Sequence, residues 1–328
     1  MLPWFHFDPV LVLILALAFD LAFGEMRLVF RILPHPVVIA GSAIGFFDRR
    51  LNRPQRSDRA RRWRGIAAML ALAIAALGVG FLVEQYLGIV KFGWGVEAVL
   101  VALLLAQRSL FEHVAAVGEA LQSGGLGAGR ESVAKIVGRD PESLDDHGVL
   151  RAAIESLFEN FSDGVVAPGF WYLLLGLPGL FLYKTVNTAD SMIGHRSPKY
   201  LHFGWAAARL DDVLNWIPAR LTGLIILLAA LALPGARSGQ GLVTMWRDAK
   251  KHRSPNAGWP EAAAAGALGL ALGGPRRYGG TIVDEPWLGT GRARATVADL
   301  AKALRLYMCA AACLALLLIA TAVARWFW

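Results

Sequence analysis

Cysteine is nearly absent. The chain has two, Cys309 and Cys313, four positions apart in one apolar run, so they supply neither a disulfide framework nor a thiolate metal site. Charge is scarce too: 18 % of the 328 residues are charged and 56 % are hydrophobic, which excludes an ordinary water-soluble enzyme. The short signatures of common nucleotide and hydrolase sites are missing, with no GxGxxG, GxSxG or HExxH. Gly273-Gly274-Pro275 and the Tyr278-Gly279-Gly280 turn lack the Gly-Lys-Ser/Thr ending of a phosphate loop. No alternation extends far enough to build a sheet, and no repeat is visible. The expected fold class is therefore all-α.

What the chain does have is long uncharged Ala/Leu runs separated by polar stretches, with a mean hydropathy of +0.48. That is the pattern of a polytopic integral membrane protein with re-entrant or interfacial helices and a large polar region. The net charge of +8 does not indicate nucleic acid, because eight arginines crowd into Arg49 to Arg64, directly before an uncharged stretch. There they read as a cytosolic membrane flank.

Four segments are candidate spans: Pro9 to Gly24 (wholly or as part of one), Ile66 to Val83, Tyr86 to Gln107, and Leu306 to Ala324. The first has no basic region before it and no small-residue cleavage site after it, so it does not read as a signal peptide. With the arginine linker inside, the segment from Arg108 to Arg305 also lies inside. Two further apolar stretches, Val165 to Tyr183 and Thr222 to Leu233, either cross or are re-entrant. Ala262 to Leu272 reads as a short helix packed on the membrane part. The expected division is 1–110 for the N-terminal helices and linker, 111–303 for the polar region, and 304–328 for the last span, in one integrated domain.

Polar residues gather in three places. After a turn at Asp140-Pro141, Val149 to Phe158 reads as a helix ending near Asn160 to Gly164; it carries Arg151, Glu155 and Glu159 on one face. A solvated face with ordinary ion pairs explains that spacing, but the acids run straight into an apolar segment, where charge needs a partner or a ligand. The second place is YKTVNTADSMIGH from Tyr183, where Lys184, Asn187 and Ser191 share a helix face beside Asp190, followed by Arg209, Asp211 and Asp212. Adjacent aspartates cannot face the same way; one can meet Mg²⁺ or a substrate amine while its neighbour pairs with Arg209. The third is HRSPNAGWPEA from His252, with short donors at Ser254 and Asn256 and exposed amides among cations, suited to phosphate or to the amides of a ligand and equally to a membrane flank.

HPVVIAG from His35, ENFSDGVVAP from Glu159, YKTVNTADSMIGH from Tyr183, FGWAAARLDDVLNWIPARLTG from Phe203 and HRSPNAGWPEAAAAGALG from His252 run in order over nearly the whole chain. Together they resemble the cobalamin biosynthesis family CobD/CbiB, adenosylcobinamide-phosphate synthase. One departure is local: Gly24 is followed by Glu25-Met26, where the family usually shows Asp-Pro. The resemblance implies a multi-pass enzyme of the inner (cytoplasmic) membrane, its site facing the cytoplasm, that forms an amide between an aminopropanol (generally its O-phosphate) and the free propionate of adenosylcobyric acid, with ATP and Mg²⁺. The implied partners are the adenosylcorrinoid and the amino-alcohol phosphate, with association with other cobalamin biosynthesis enzymes and a homo-oligomer as further expectations; nucleic acid is not among them.

On that basis the expected catalytic set is Glu155, Glu159, Asn160, Asp163, Lys184, Asn187, Asp190, Arg209, Asp211 and Asp212. Asp163 and Asp212 are the metal candidates, and Lys184 and Arg209 counter phosphate charge. Arg130, Ser191, Arg220, His252, Ser254, Asn256 and Trp259 are expected to hold the cosubstrates, with Phe203, Trp205 and Trp216 adding aromatic surface for the macrocycle. A corrinoid-binding scaffold or a transporter without ligase activity is the competing class; a transporter calls for paired broken helices and an inverted repeat.

Overall fold

The computed structural model describes residues 6–24, 35–137, 141–278 and 281–327. Glu25-Met26, Asp140 and Gly279-Gly280 lie outside these residues. Among the described residues the chain forms α1 (Pro9–Phe23), α2 (Pro36–Leu51), α3 (Asp58–Ile89), α4 (Gly93–Leu104), α5 (Gln107–Val133), α6 (Asp146–Phe161), α7 (Ala167–Ile193), α8 (Trp205–Leu214), α9 (Trp216–Ala232), α10 (Ser238–Asp248), α11 (Gly258–Leu268) and α12 (Val297–Trp326). The described residues also form four short strands: β1 (Leu272–Gly273), β2 (Arg276–Tyr278), β3 (Thr281–Val283) and β4 (Trp287–Leu288). They nest as two antiparallel pairs, β2 with β3 inside β1 with β4, in register Leu272 to Leu288 and Gly273 to Trp287. The architecture is thus all-α with one small hairpin.

Capping chemistry sets the helix starts. Asp8 accepts from the N–H of Val10 at 2.9 Å with Pro9 at the first helical position, and the His35 ring nitrogen accepts from Val37 N–H at 3.1 Å ahead of Pro36. Asp145 accepts from Gly148 N–H at 2.7 Å to open α6. The sequence reading ended that helix near Asn160 to Gly164; instead α6 passes through a π-helical turn, Ser162–Val166, into α7. A π-turn absorbs an extra residue without breaking the hydrogen-bonded spiral, which is why Asn-Phe-Ser-Asp-Gly looks like a terminus in sequence.

Among the described residues four helical segments are long and apolar enough to cross a membrane: Asp58–Ile89, Gly93–Val133, Asp146–Ile193 and Val297–Trp326, with α8 and α9 a fifth if taken as one broken span. The chain is a polytopic helical membrane protein. Two expectations change. At 15 residues, α1 reaches about 22 Å, short of a bilayer core of about 30 Å; and the stretch around Val165 to Tyr183 sits inside one of the long segments. The helix expected over Ala262 to Leu272 begins earlier, at Gly258, and stops at Gly269 before β1.

The chain divides into two compact units, each discontinuous in sequence: residues 1–106, 167–215 and 321–328, and residues 107–166 and 216–320. In the first, α7 packs on α3 and α2, and α8 covers it. Their core holds Ile44, Met69, Leu72, Tyr183, Val186, Phe203 and Leu214. In the second, α11 is buried among α9, α10 and α6, and its Ala262 to Ala265 are all 0 % exposed.

Candidate active-site residues in the two units

In the first unit the polar face of α7 meets α8. Asp211 is held by two amides: Asn187 Nδ2 donates to its Oδ1 at 3.3 Å, and Asn215 Nδ2 to its Oδ2 at 3.0 Å. Asn215 is itself fixed by the hydroxyl of buried Tyr183, which donates to Asn215 Oδ1 at 2.9 Å. This second amide was missed by the sequence reading, although it lies four residues after Asp211, the spacing at which helix side chains meet. Asp190 is within electrostatic reach of Asp211, so two carboxylates from neighbouring helices share one polar face. Asp212 turns the other way, where Arg209 donates to it at 3.3 Å and Arg196 adds a second nearby cation. The Ser191 hydroxyl donates to Asn187 O at 3.0 Å. Lys184 lies one helical turn before Asn187 and Thr188, and its carbonyl accepts from Thr188 at 2.6 Å.

In the second unit α6 uses its polar stripe to hold the hairpin region. His147 Nδ1 bonds to Ala295 O at 2.8 Å, and Arg151 donates to Ala293 O at 2.9 Å while lying 5.1 Å from the centre of the Trp287 ring. Glu155, 3 % exposed, accepts from Gly273 N–H at 2.6 Å. These three positions are four residues apart, so the spacing that suggests ion pairs in sequence forms a seam for a strap of chain. Asn160 donates to Ser156 O at 2.9 Å, Glu159 is half-buried beside it, and half-buried Asp163 sits in the π-turn. Arg130 lies apart from these acids: on α5 it donates to Leu144 O at 2.9 Å and pairs with Glu142 at 3.6 Å.

The His252 loop is folded on itself. Ser254 Oγ accepts from the N–H groups of Asn256 and Ala257, both at 3.2 Å, and His252 Nδ1 accepts from Ser254 N–H at 3.0 Å. Those amides are therefore not open to an anion, contrary to the sequence expectation, and Asn256 is only 5 % exposed. The other ring nitrogen, Nε2, faces buried Glu261 at 3.8 Å. Arg220 lies 4.1 Å from the Trp216 ring centre and 4.4 Å from that of Trp259, flanked by the two indoles, and Trp246 meets Trp259 edge-on at 5.3 Å. Phe203 is buried in the first unit's core, 1 % exposed, and is not open to a macrocycle, contrary to the sequence expectation. Trp205 is more open and lies under the guanidinium of Arg62 at 3.9 Å.

Sequence reading passed over Asp248, an acid flanked by cations in WRDAKKH. It is 1 % exposed, accepts from Arg247 at 2.6 Å and Lys251 at 2.7 Å, and takes Gly289 N–H at 2.8 Å. The Arg247 hydrogen bond, with Lys251 and Gly289 adding to it, holds this carboxyl well below the usual carboxylate range.

Among the described residues no three His, Cys, Asp or Glu side chains come together as a metal site. Mg²⁺ does not require that: one or two carboxylates suffice when phosphate and water complete the octahedron. Asp190 and Asp211, hard oxygen donors on adjacent helices, fit such a demand, as do Asp212 and Asp163 singly.

The family model described as CobD/Cbib protein matches residues 13–307. A cobalamin biosynthesis protein CobD of a Sinorhizobium species is 55 % identical over 294 residues, covering 89 % of this chain and 91 % of that protein. The proteins of the same name from Brucella suis biovar 1 and Rhodobacter capsulatus are 50 % and 45 % identical, covering 91 % and 90 % of this chain and 92 % of each relative. No solved structure matches. The chain belongs to the CobD/CbiB family of cobalamin biosynthesis proteins.

Proposed function

We propose that this protein joins (R)-1-aminopropan-2-ol O-phosphate, or the free aminopropanol, to the propionate carboxyl of adenosylcobyric acid, consuming ATP and giving adenosylcobinamide phosphate or adenosylcobinamide. Family membership supports the place in cobalamin biosynthesis. The observation that carries the chemistry is Asp211, gripped by two amides within electrostatic reach of Asp190, with Lys184 one turn before Asn187 on α7 and Arg209 beside Asp212.

A carboxylate and an amine do not condense usefully in water, so the carboxyl must first be activated. Transfer of the terminal phosphoryl group of ATP to the propionate gives an acyl phosphate and ADP. The amine then attacks the carbonyl carbon, phosphate leaves, and the ammonium proton passes to a base. Mg²⁺, when bound, neutralises phosphoryl charge. In this reading Asp212 and Asp163 are the metal candidates, Lys184 and Arg209 counter phosphate, and Asp211 with Asp190 receives the substrate ammonium and its proton. Asn187 and Asn215 keep Asp211 in one orientation, so no reorganisation is needed as charge moves.

In the second unit Glu159, Asn160 and Asp163 present polar groups at the π-turn, while exposed Trp216 and half-buried Arg220 offer aromatic and cationic surface to the corrinoid, with buried Trp259 packed behind the Arg220 guanidinium. Asn256 and His252 support that wall from behind, and Glu155 acts through the strand it holds.

The deciding experiment incubates purified protein with adenosylcobyric acid, ATP, Mg²⁺ and each candidate amine, and identifies the product by mass. An amide product from at least one amine is expected; corrinoid binding with no product from any amine would replace this reading by the scaffold. We place both polar sets on the cytoplasmic side of the inner membrane. Single cysteines at Arg56, Asp146, His195 and His252, in a chain lacking Cys309 and Cys313, should label only from that side.

A further inference from the structure

Two buried carboxyls of the first unit take no part in the proposed chemistry. Glu84 on α3 and Glu97 on α4 are each 3 % exposed. Each touches α7, on opposite sides of a break in that helix. Ahead of the break, Tyr172 donates its hydroxyl to Glu97 Oε1 at 2.5 Å. At the break Gly176 adopts φ 69° and ψ −152°, outside helical space, and Pro178 follows inside the helix without an N–H of its own. The Leu177 N–H leaves the helical ladder and donates to Glu84 Oε2 at 3.0 Å.

Small residues let this arrangement close. A Cβ on Gly176 would lie 2.4 Å from Glu84 Oε2, and one on Gly80, a turn before Glu84 on α3, would lie 2.6 Å from Pro178 Cα. An unsatisfied N–H in an apolar environment is costly, so the break is stable only where an acceptor waits for it. Glu84 is that acceptor. Beyond the break, α7 runs on through Lys184, Asn187, Asp190 and Ser191 to Ile193.

We propose that Glu84 and Glu97 are positioning residues that clamp α7 on either side of its Gly176 break and thereby set the direction of its polar half. The assignment to catalysis rests on the reading that this face meets substrate; the clamp itself does not. From Leu177 to Met192 the helix extends about 22 Å, so a change of about 10° in the bend moves its end by about 4 Å. Misplacement of far less than that is felt by a reacting pair.

The test places spin labels on exposed Ile74 of α3 and exposed Met192 of α7, and measures their separation in the full-length protein in nanodiscs, alongside kcat and KM for the amine. Glu84→Gln keeps an oxygen for Leu177 N–H, and should preserve the distance distribution and turnover. Glu84→Leu removes it, and should shift or broaden the distribution by several ångströms and lower kcat at least 10-fold with KM changed less. Should Glu84→Leu fail to fold, Tyr172→Phe, which loses only a hydroxyl, carries the test with labels at Val96 and Leu174, where broadening is expected. Unchanged distances in the folded variants overturn the clamp. Changed distances with normal turnover keep the clamp and overturn the catalytic role of the α7 face.

Discussion

Two acid-bearing regions, α6 in one unit and the α7–α8 pair in the other, both carry carboxylates, amides and cations but use them differently. On α6 the buried acid Glu155 is committed to a backbone N–H of the hairpin, and Arg151 to a backbone carbonyl. Where α7 meets α8, Asp211 is held by side-chain amides, with a second carboxylate, Asp190, within electrostatic reach. A carboxylate spent on the main chain fixes a loop; one oriented by amides keeps lone pairs for a ligand. On the proposed function, this is the contrast between an acid that fixes a strand and one that meets a ligand, and it follows from the partners of each carboxylate.

Substitutions can break this contrast. The largest effect is expected for Asp211→Asn, which keeps the shape and removes the charge. Product formation should fall by about 10²-fold or more, the scale of losing a general base, with the melting temperature nearly unchanged. Full turnover would return Asp211 to the structural class. Next comes Asp248→Asn, where a buried carboxylate loses two cations; unfolding in detergent should cost about 3 kcal/mol less at neutral pH. Because folding depresses the pKa of Asp248, its contribution is present above the unfolded value and is lost as pH falls through the folded one. The gap between wild type and variant should therefore begin to narrow below about pH 4 and keep narrowing as the solution is acidified further.

A smaller effect is expected at Glu155. Glu155→Ala leaves Gly273 N–H without its acceptor, a loss of about 1–3 kcal/mol, and should speed amide exchange across residues 270–290 with catalysis retained in part. Glu155→Gln should restore protection. Loss of all turnover in Glu155→Gln, with exchange unchanged, would move this acid from the holding class to the chemical one. The smallest is Trp287→Leu, which removes the ring beneath Arg151 and should cost about 1 kcal/mol, read as a modest drop in melting temperature.

Much of the helical architecture was legible because hydrophobic runs and capping residues are local signals. Ile66 to Val83 and Leu306 to Ala324 lie inside α3 and α12, and the stretch from Pro9 begins α1, whereas α2 was not anticipated. The π-turn was not legible, since its residue types are those of a helix end and only the continuing hydrogen bonds distinguish it. The hairpin strap was also missed, because its strands are two or three residues long and depend on α6 and α11 for support. At the candidate site, helical spacing put Lys184, Asn187 and Ser191 on one helix face with Asp190 beside it, but the grip of Asn215 on Asp211 and the closed turn at Ser254 depend on rotamers and main-chain direction. Asp248 went unnoticed because one acid among cations looks like a solvated surface.

The alanine run of α11 has a consequence of another kind. Ala262, Ala263, Ala264 and Ala265 have no side-chain rotamers to freeze, so this buried helix becomes ordered at little entropic cost beyond its backbone. The same economy removes slack: a Cβ on Gly266 would lie 2.6 Å from both Gln240 O and Thr244 Oγ1, and one on Gly241 of α10 would lie 2.9 Å from Ala263 O. Helices seated backbone to backbone have no flexible chain ends with which to absorb a larger neighbour. In a population of random variants, sequence change at this contact should be confined to exchanges among the smallest residues, while the leucines exposed on α9 drift freely among apolar types.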